Sequence, residues 1–430
     1  MLFVSRLFLV FLFIACMQSI SAQVFKVDAD LRNRFEYRDG YKKPASEVTD
    51  PTTLVYQRGR VAFSFKADSF QVQLSFQDAR IWGQYANSTD VNAVSVHESW
   101  FRYWVNPSWS FKVGRQEISY DDQRIVGAPD WSIAGKSYDA ALCMFEQPIS
   151  GISASIGGGI NRSSDDVFLT DYTKDYFRFF TVGYLKKSIG SSSSASLLSF
   201  VEGNQKKGVA TIIYPRHTFG SNMIMTQGAY SSDLSLYIQH GQHESGAKVV
   251  AGAVALKGTY KTGSVGSLYI GGAYYTGTSK AELQKGKSNS FIRPYGTAHS
   301  LHGYMDYYTK LREIKDGGLV DIYVGYKCKF APKWEAQFDY HYFSLAESGF
   351  SDAIAPEGYQ RVTSKELGSE VDVMLSYQLA KSFLMQGGYS LMLQSSTAEK
   401  LFGIANGETS SWAYLSLVFR PRLFEKNFKQ

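Results

Sequence analysis

The chain has 430 residues, with 45 Lys and Arg against 39 Asp and Glu and a formal net charge of +6. So mild an excess, without a basic run of five or more, excludes nucleic acid as the expected partner. Its 29 Tyr, 29 Phe and 7 Trp sit in a sequence of slightly negative mean hydropathy, a combination that suits alternating lipid-facing strands better than a soluble domain with thick apolar runs.

The first residues read as a secretory leader. Arg6 precedes an apolar run from Leu7 to Met17, and small and polar residues end at Ala22, which leaves Gln23 first after cleavage. Cys16 with Ile14 and Ala15 is a weak lipidation signal, because Phe13 fits it poorly. No later run of about 18 apolar residues could cross a bilayer as a helix. Cys143 and Cys328 stand far apart, so a disulfide framework is not expected. Residues 23–430 read as a single barrel domain without linker or internal repeat.

From Phe25 to Tyr37 the odd positions are mostly apolar (Phe25, Val27, Ala29, Leu31, Phe35, Tyr37). The even ones are ionised throughout: Lys26, Asp28, Asp30, Arg32, Arg34, Glu36. A two-residue period over that length exceeds the usual soluble strand and matches the ten or so tilted residues that cross a bilayer. The charged side is then expected to face a wet lumen.

The next hairpin repeats the pattern. Val61, Phe63 and Phe65 alternate with Arg58, Arg60 and Lys66, a tight turn follows at Ala67–Ser69, and Phe70, Val72, Leu74 and Phe76 return. Long polar connections such as Arg38–Thr53, Tyr120–Gly135, Gly277–Gly317 and Ala346–Lys365 alternate with short ones such as Asn106–Trp109 and Ala380–Ser382. This is the loop asymmetry of an outer-membrane barrel, with the short turns periplasmic. Counting gives about eighteen strands, provided Val209–Thr226 is one strand and not two split at Pro215, since single-chain bacterial barrels have even counts. The last strand ends at Phe419, and Arg420–Gln430 is a basic tail containing Phe424 and Phe428.

The densest chemistry lies between Phe111 and Ala140, where Arg115, Glu117, Asp121, Asp122, Arg124, Asp130 and Lys136 interrupt two strands. In a closed barrel this segment lies at the mouth or folds into the lumen, which suits a selectivity element for charged solutes. Arg32, Arg34, Arg58, Arg60, Arg102, Arg115 and Arg124 are the candidate pore and selectivity residues. Asp28, Asp30, Glu98, Glu117, Asp121 and Asp122 are their candidate acidic partners. A structural alternative pairs the two sets into salt-bridge ladders that hold the wall, and both readings can hold together.

Enzyme motifs are absent: no G-x-S-x-G, phosphate-binding loop, H-E-x-x-H or C-x-x-C. A glycosidase pair drawn from Glu117, Asp121 and Asp122 would be kept ionised by Arg115 and Arg124. His240 with His243, and His299 with His302, are three apart and point to opposite sides of a strand, so no metal or cofactor is expected.

Gly114–Gly127 (GRQEISYDDQRIVG) followed by Trp131–Ala140, together with Phe76–Gly83 (FQDARIWG), His97–Tyr103 (HESWFRY), His302–Tyr308 (HGYMDYY), Gly317–Lys327 and Glu366–Leu379, resembles the alginate export family of outer-membrane porins, in the form found in Bacteroidota-type bacteria. The resemblance implies an eighteen-stranded antiparallel β-barrel with an Arg- and Lys-lined conduit, used in some members for secreted alginate. Arg115, Asp122, Gln123 and Arg124 match the family motif.

The expected function is an outer-membrane channel for passive passage of anionic solutes, including export of an acidic polysaccharide. Its partners would be the lipid bilayer and an anionic solute. The alternatives are a general or sugar-acid uptake porin, a surface hydrolase, and a structural or adhesive barrel with a closed lumen.

Overall fold

The computed structural model describes residues 23–85, 93–172, 177–206, 208–297, 299, 301–309, 317–347, 364–404 and 407–428. The leader expected over residues 1–22 lies outside them. Eighteen strands form one closed antiparallel wall: β1 Gln23–Asp39, β2 Thr52–Lys66, β3 Phe70–Ile81, β4 Val94–Trp104, β5 Trp109–Gln116, β6 Tyr138–Gln147, β7 Ile152–Ile160, β8 Phe179–Ile189, β9 Ser193–Gln205, β10 Ile213–Gln227, β11 Tyr230–Gln242, β12 Lys248–Lys261, β13 Gly266–Tyr275, β14 Leu319–Ala331, β15 Trp334–Ser344, β16 Glu366–Ala380, β17 Phe383–Gln394 and β18 Ser410–Phe419. Each strand pairs with its neighbour in sequence. Closure comes from β1, which pairs with β2 on one edge and with β18 on the other, Leu31 opposite Phe419 through Asp39 opposite Ser411.

Burial along β1 runs opposite to that of a water-soluble protein. Leu31 and Phe35 are 44% and 45% exposed, whereas Arg32, Arg34 and Glu36 are 5%, 4% and 0% exposed. Charge is inside and grease is outside, which is stable only where the outer surface meets lipid. The same alternation puts Phe63, Leu74, Phe101, Leu236, Ile270, Val324, Phe338 and Leu415 on the outer face.

All connections at one rim are tight turns, from Ala67–Ser69 to Lys381–Ser382, and the longer ones gather at the other rim. An eighteen-strand wall encloses more volume than its own side chains fill, and loops from the long-connection rim occupy part of it. Pro215 stays inside β10 as its third residue, opposite Gly203, so the segment is one strand and the count remains even. That strand begins at Ile213, four residues later than the alternation suggests.

The basic tail is also structured. Arg422–Phe428 forms β19, which continues past Pro421 and pairs with the first residues of β1, Gln23 opposite Phe428 and Asp28 opposite Arg422. It lengthens the seam at the tight-turn rim.

Candidate functional site

The β5–β6 connection, residues 117–137, folds into the lumen and spans it. Its tip turns sharply through left-handed backbone at Asp121 (φ 49°) and Gln123 (φ 61°). Asp121 accepts hydrogen bonds from Tyr184 of β8 (2.7 Å) and Ser196 of β9 (2.8 Å). Asp122 accepts from Arg124 Nε (2.8 Å) and the Arg124 amide (3.0 Å), and more weakly from Ser235 of β11 (3.3 Å). The Arg124 guanidinium in turn donates to the Tyr275 hydroxyl on β13. Such contacts satisfy a loop whose polar groups would otherwise be stranded without water.

The other end of the loop lies on the basic wall. Asp130 is reached by Arg32 Nη2 (2.8 Å), Arg58 Nη2 (2.9 Å) and Arg420. Arg58 also bonds Asp30 at 2.5 Å, and Arg420 Nε lies 3.2 Å from the same carboxylate. Arg34 donates to the Trp131 carbonyl (2.8 Å) and lies 3.8 Å above the indole centroid. That indole stacks on His299 at 3.9 Å and meets Trp412 and Tyr414 edge-on. Burial disfavours the charge on Asp130, but Arg32, with hydrogen bonds from Arg32, Arg420 and Arg58, outweighs it and holds the carboxyl well below the ordinary range.

Described residues of the β13–β14 connection, Tyr295 and Gly296 foremost, pack against this loop from the other side. Tyr295 N donates to Ile125 O (3.0 Å) and Gly127 N to Tyr295 O (3.2 Å), a two-bond bridge between the loops. Lys136 Nζ adds bonds to the carbonyls of Tyr295 (2.7 Å) and Gly296 (3.3 Å), and burial, reinforced by Arg293, pushes its pKa down to about 8. Farther along, the Met305 amide donates to Glu370 of β16 (2.7 Å). Gly303 is in left-handed backbone with that carboxylate against it, so any side chain there would collide.

His302 fastens the same loop to the wall. Its Nδ1 is 2.8 Å from Asp321 and its Nε2 is 3.1 Å from the Tyr275 hydroxyl, while His341 approaches Asp321 at 2.9 Å. Burial, opposed by the hydrogen bond to Asp321 and reinforced by Arg293, depresses the imidazole to about 3. The undocked loop takes up this proton first between about pH 6.5 and 3, so docking is expected to be complete at neutral pH and to weaken as pH falls through that window. Hydrogen exchange of residues 299–309 checks this. Protection factors, which take out the intrinsic slowing of exchange by acid, should fall on acidification, and His302→Gln should flatten the dependence.

Most of the expected residues face the lumen. Arg32, Arg34 and Arg58 are buried in the contacts above, and Arg60 donates to Gln77 (2.8 Å) with Glu117 farther off at 3.9 Å. Glu117 is held more closely by His97 at 2.8 Å. Arg102 pairs with Glu146 (2.7 Å) towards the tight-turn rim, Glu98 accepts from Trp100 (2.8 Å), and Asp28 accepts from Arg422 (2.8 Å).

Two expectations need correction. Arg115 shares the parity of Phe111 and Val113, is about two-fifths exposed and pairs with exposed Asp139, so it stands on the outer wall and not in the pore. The reason is the strand period itself, which never brings it inward. Arg124 is inside but buried against Asp122 and Tyr275, where it pins the loop instead of meeting solute. Asp121 and Asp122 are anchors in the same way. His240 contacts His217 (3.0 Å), and His299 contacts Asp306 (3.0 Å). Asp130, Trp131 and Arg420, which meet at this wall, were not among the candidate pore residues or their acidic partners.

Comparison with solved structures gives the same architecture. Pseudomonas aeruginosa OccK1 (OpdK) superposes with a TM-score of 0.60 at 11% identity, covering 94% of this chain and 99% of that one. Pseudomonas aeruginosa OccK11 (OpdR) gives 0.59 at 15% over 93% and 96%. Acinetobacter baumannii OccAB4 gives 0.61 at 12% over 95% and 99%. At these identities the likeness speaks for the fold. A search of curated proteins finds no match. The model of the family described as "Alginate export" matches residues 24–394. Barrel and family together make this an outer-membrane channel for solute passage. The chain belongs to the alginate export family.

Proposed function

We propose that the channel passes anionic solutes, carboxylates above all, along the basic wall of β1 and β2, without chemistry on the solute. One observation carries this reading: three guanidiniums, Arg32, Arg58 and Arg420, share two carboxylates, Asp30 and Asp130. Arg60 beside them has its nearest carboxylate at 3.9 Å. The strip keeps a positive excess, and a solute carboxylate can exchange with the half-exposed Asp130 for bidentate contacts that are strong yet replaceable. One of the similar structures, OpdK, was determined with vanillate, itself an aromatic carboxylate. A uronate polymer, with one carboxylate per residue, would step along the same strip, which serves export and uptake alike because passage is passive. Residues 1–22 would direct the chain to the envelope and be removed.

Reversal potentials in planar bilayers under a salt gradient test the proposal. The native channel is expected to prefer anions. Each unscreened charge near the path contributes about 1 kcal/mol at 4 Å in water, so Arg60→Gln with Arg420→Gln, about 2 kcal/mol together, should lower the anion-to-cation permeability ratio by up to roughly thirtyfold. A cation preference that both substitutions leave untouched would end this reading.

A further inference from the structure

The lumen wall opposite the arginine strip holds a cavity of about 170 Å³ beneath the two inward loops. Asp233 of β11, Lys257 of β12, Tyr269 of β13, Tyr323 of β14, and Gln337, Asp339 and His341 of β15 line it, and Asp122, Arg124, Leu301 and Tyr304 of the loops border it. Asp233, Tyr269 and Gln337 lie in the first turn-side residues of strands that start at the tight-turn rim, so the cavity reaches the periplasmic side of the loops. Nothing in the anion path accounts for it.

Two of its carboxylates, Asp233 and Asp339, accept only from neutral donors. Asp233 accepts from Asn222 (2.6 Å), and Asp339 accepts from Tyr269 and from Gln337 (2.6 Å). Among the described residues, neither has a cation within ion-pair distance. The single ammonium, Lys257, lies 4.0 Å over the Tyr269 ring. Gly325 makes the room, because a Cβ there would run into Asp339 and Tyr269.

We propose that this cavity binds one neutral, polyhydroxylated ring of monosaccharide size. Arg124 is already paired with Asp122 and His341 with Asp321, so the charge left over is two carboxylates against one ammonium, which disfavours an anion. An external cation would compete with Lys257, which already supplies that charge between them. Hydroxyl groups are the remaining partners: they donate to Asp233 and Asp339 and accept from Lys257 and Gln337, while the apolar face of the ring lies on tyrosine.

The test uses the full-length channel in a planar bilayer, with D-glucose, D-galactose, D-glucuronate and choline as probes. Saturable current blockade by a neutral sugar is expected. Asp233→Asn with Asp339→Asn should raise the half-blocking concentration about tenfold or more, since hydrogen bonds to charged acceptors are being lost. Gly325→Ala should do the same by filling the cavity, and heat-modifiable migration verifies that each variant is folded. Arg60→Gln with Arg420→Gln should leave sugar blockade in place, so failure of the anion reading does not decide this one. Blockade by choline or glucuronate with none by either neutral sugar, or equal blockade in the carboxylate variants, would overturn the proposal.

Discussion

Arg124→Ala is expected to give a folded barrel whose single-channel conductance is higher and noisier than that of the native channel. Arg124 is 8% exposed and joins Asp122, at the loop tip, to Tyr275 on the far wall. Without it, Asp122 keeps only the Ser235 and Tyr237 contacts, at 3.3 and 3.4 Å. Removing one partner of a buried pair typically costs about 3–5 kcal/mol, because the other charge is left in a poorly solvating site. The cost falls on the docking of the loop, since the wall hydrogen bonds of β8 to β13 do not involve Arg124. Undocking loosens the loop tip, while Asp130 and Trp131 stay on the basic wall, and bilayer recordings read the result directly. Arg124→Lys should recover only part of the native behaviour, since one ammonium cannot serve the Asp122 carboxylate through Nε and the Tyr275 hydroxyl through Nη1 together.

Glu36→Ala should instead weaken the barrel at its seam. Glu36 is fully buried on β1 and receives Arg34 Nε (2.7 Å), Arg38 Nη2 (2.7 Å) and the Trp412 indole N–H of β18 (3.1 Å). Alanine leaves two guanidiniums and an indole without their acceptor, again about 3–5 kcal/mol for a buried network. The unfolding midpoint in detergent, read from heat-modifiable migration or strand circular dichroism, should fall clearly. Glu36→Gln keeps the shape and one acceptor oxygen and should fall less. An unchanged midpoint for Glu36→Ala would mean that the seam is held by β1–β18 backbone pairing alone.

The strand period, the asymmetry of the connections and the charged side of β1 and β2 were all legible in the chain, because each is a local property. Alternation over a dozen residues fixes which side chains share a face, and lipid outside with water inside then decides which face is which. The density of charge between Glu117 and Lys136 likewise marked the segment that enters the lumen. Arg115 shows the limit of composition as a guide. It belongs to the family motif and looks like its neighbours, but its parity with Phe111 and Val113 places it outside.

The sequence alone determined that this chain is a lipid-exposed barrel with a basic strip within. Only the tertiary structure decided what that strip touches. Asp130 meets Arg32 across 98 positions and Arg420 across 290, and Tyr41 meets Asp306 across 265. Contacts at such separations depend on where two long loops cross inside a closed wall, and backbone periodicity carries no information about that crossing. For the same reason Arg124 reads as a selectivity residue along the chain and becomes a loop pin in space, while Arg420 reads as part of a tail and joins the pore.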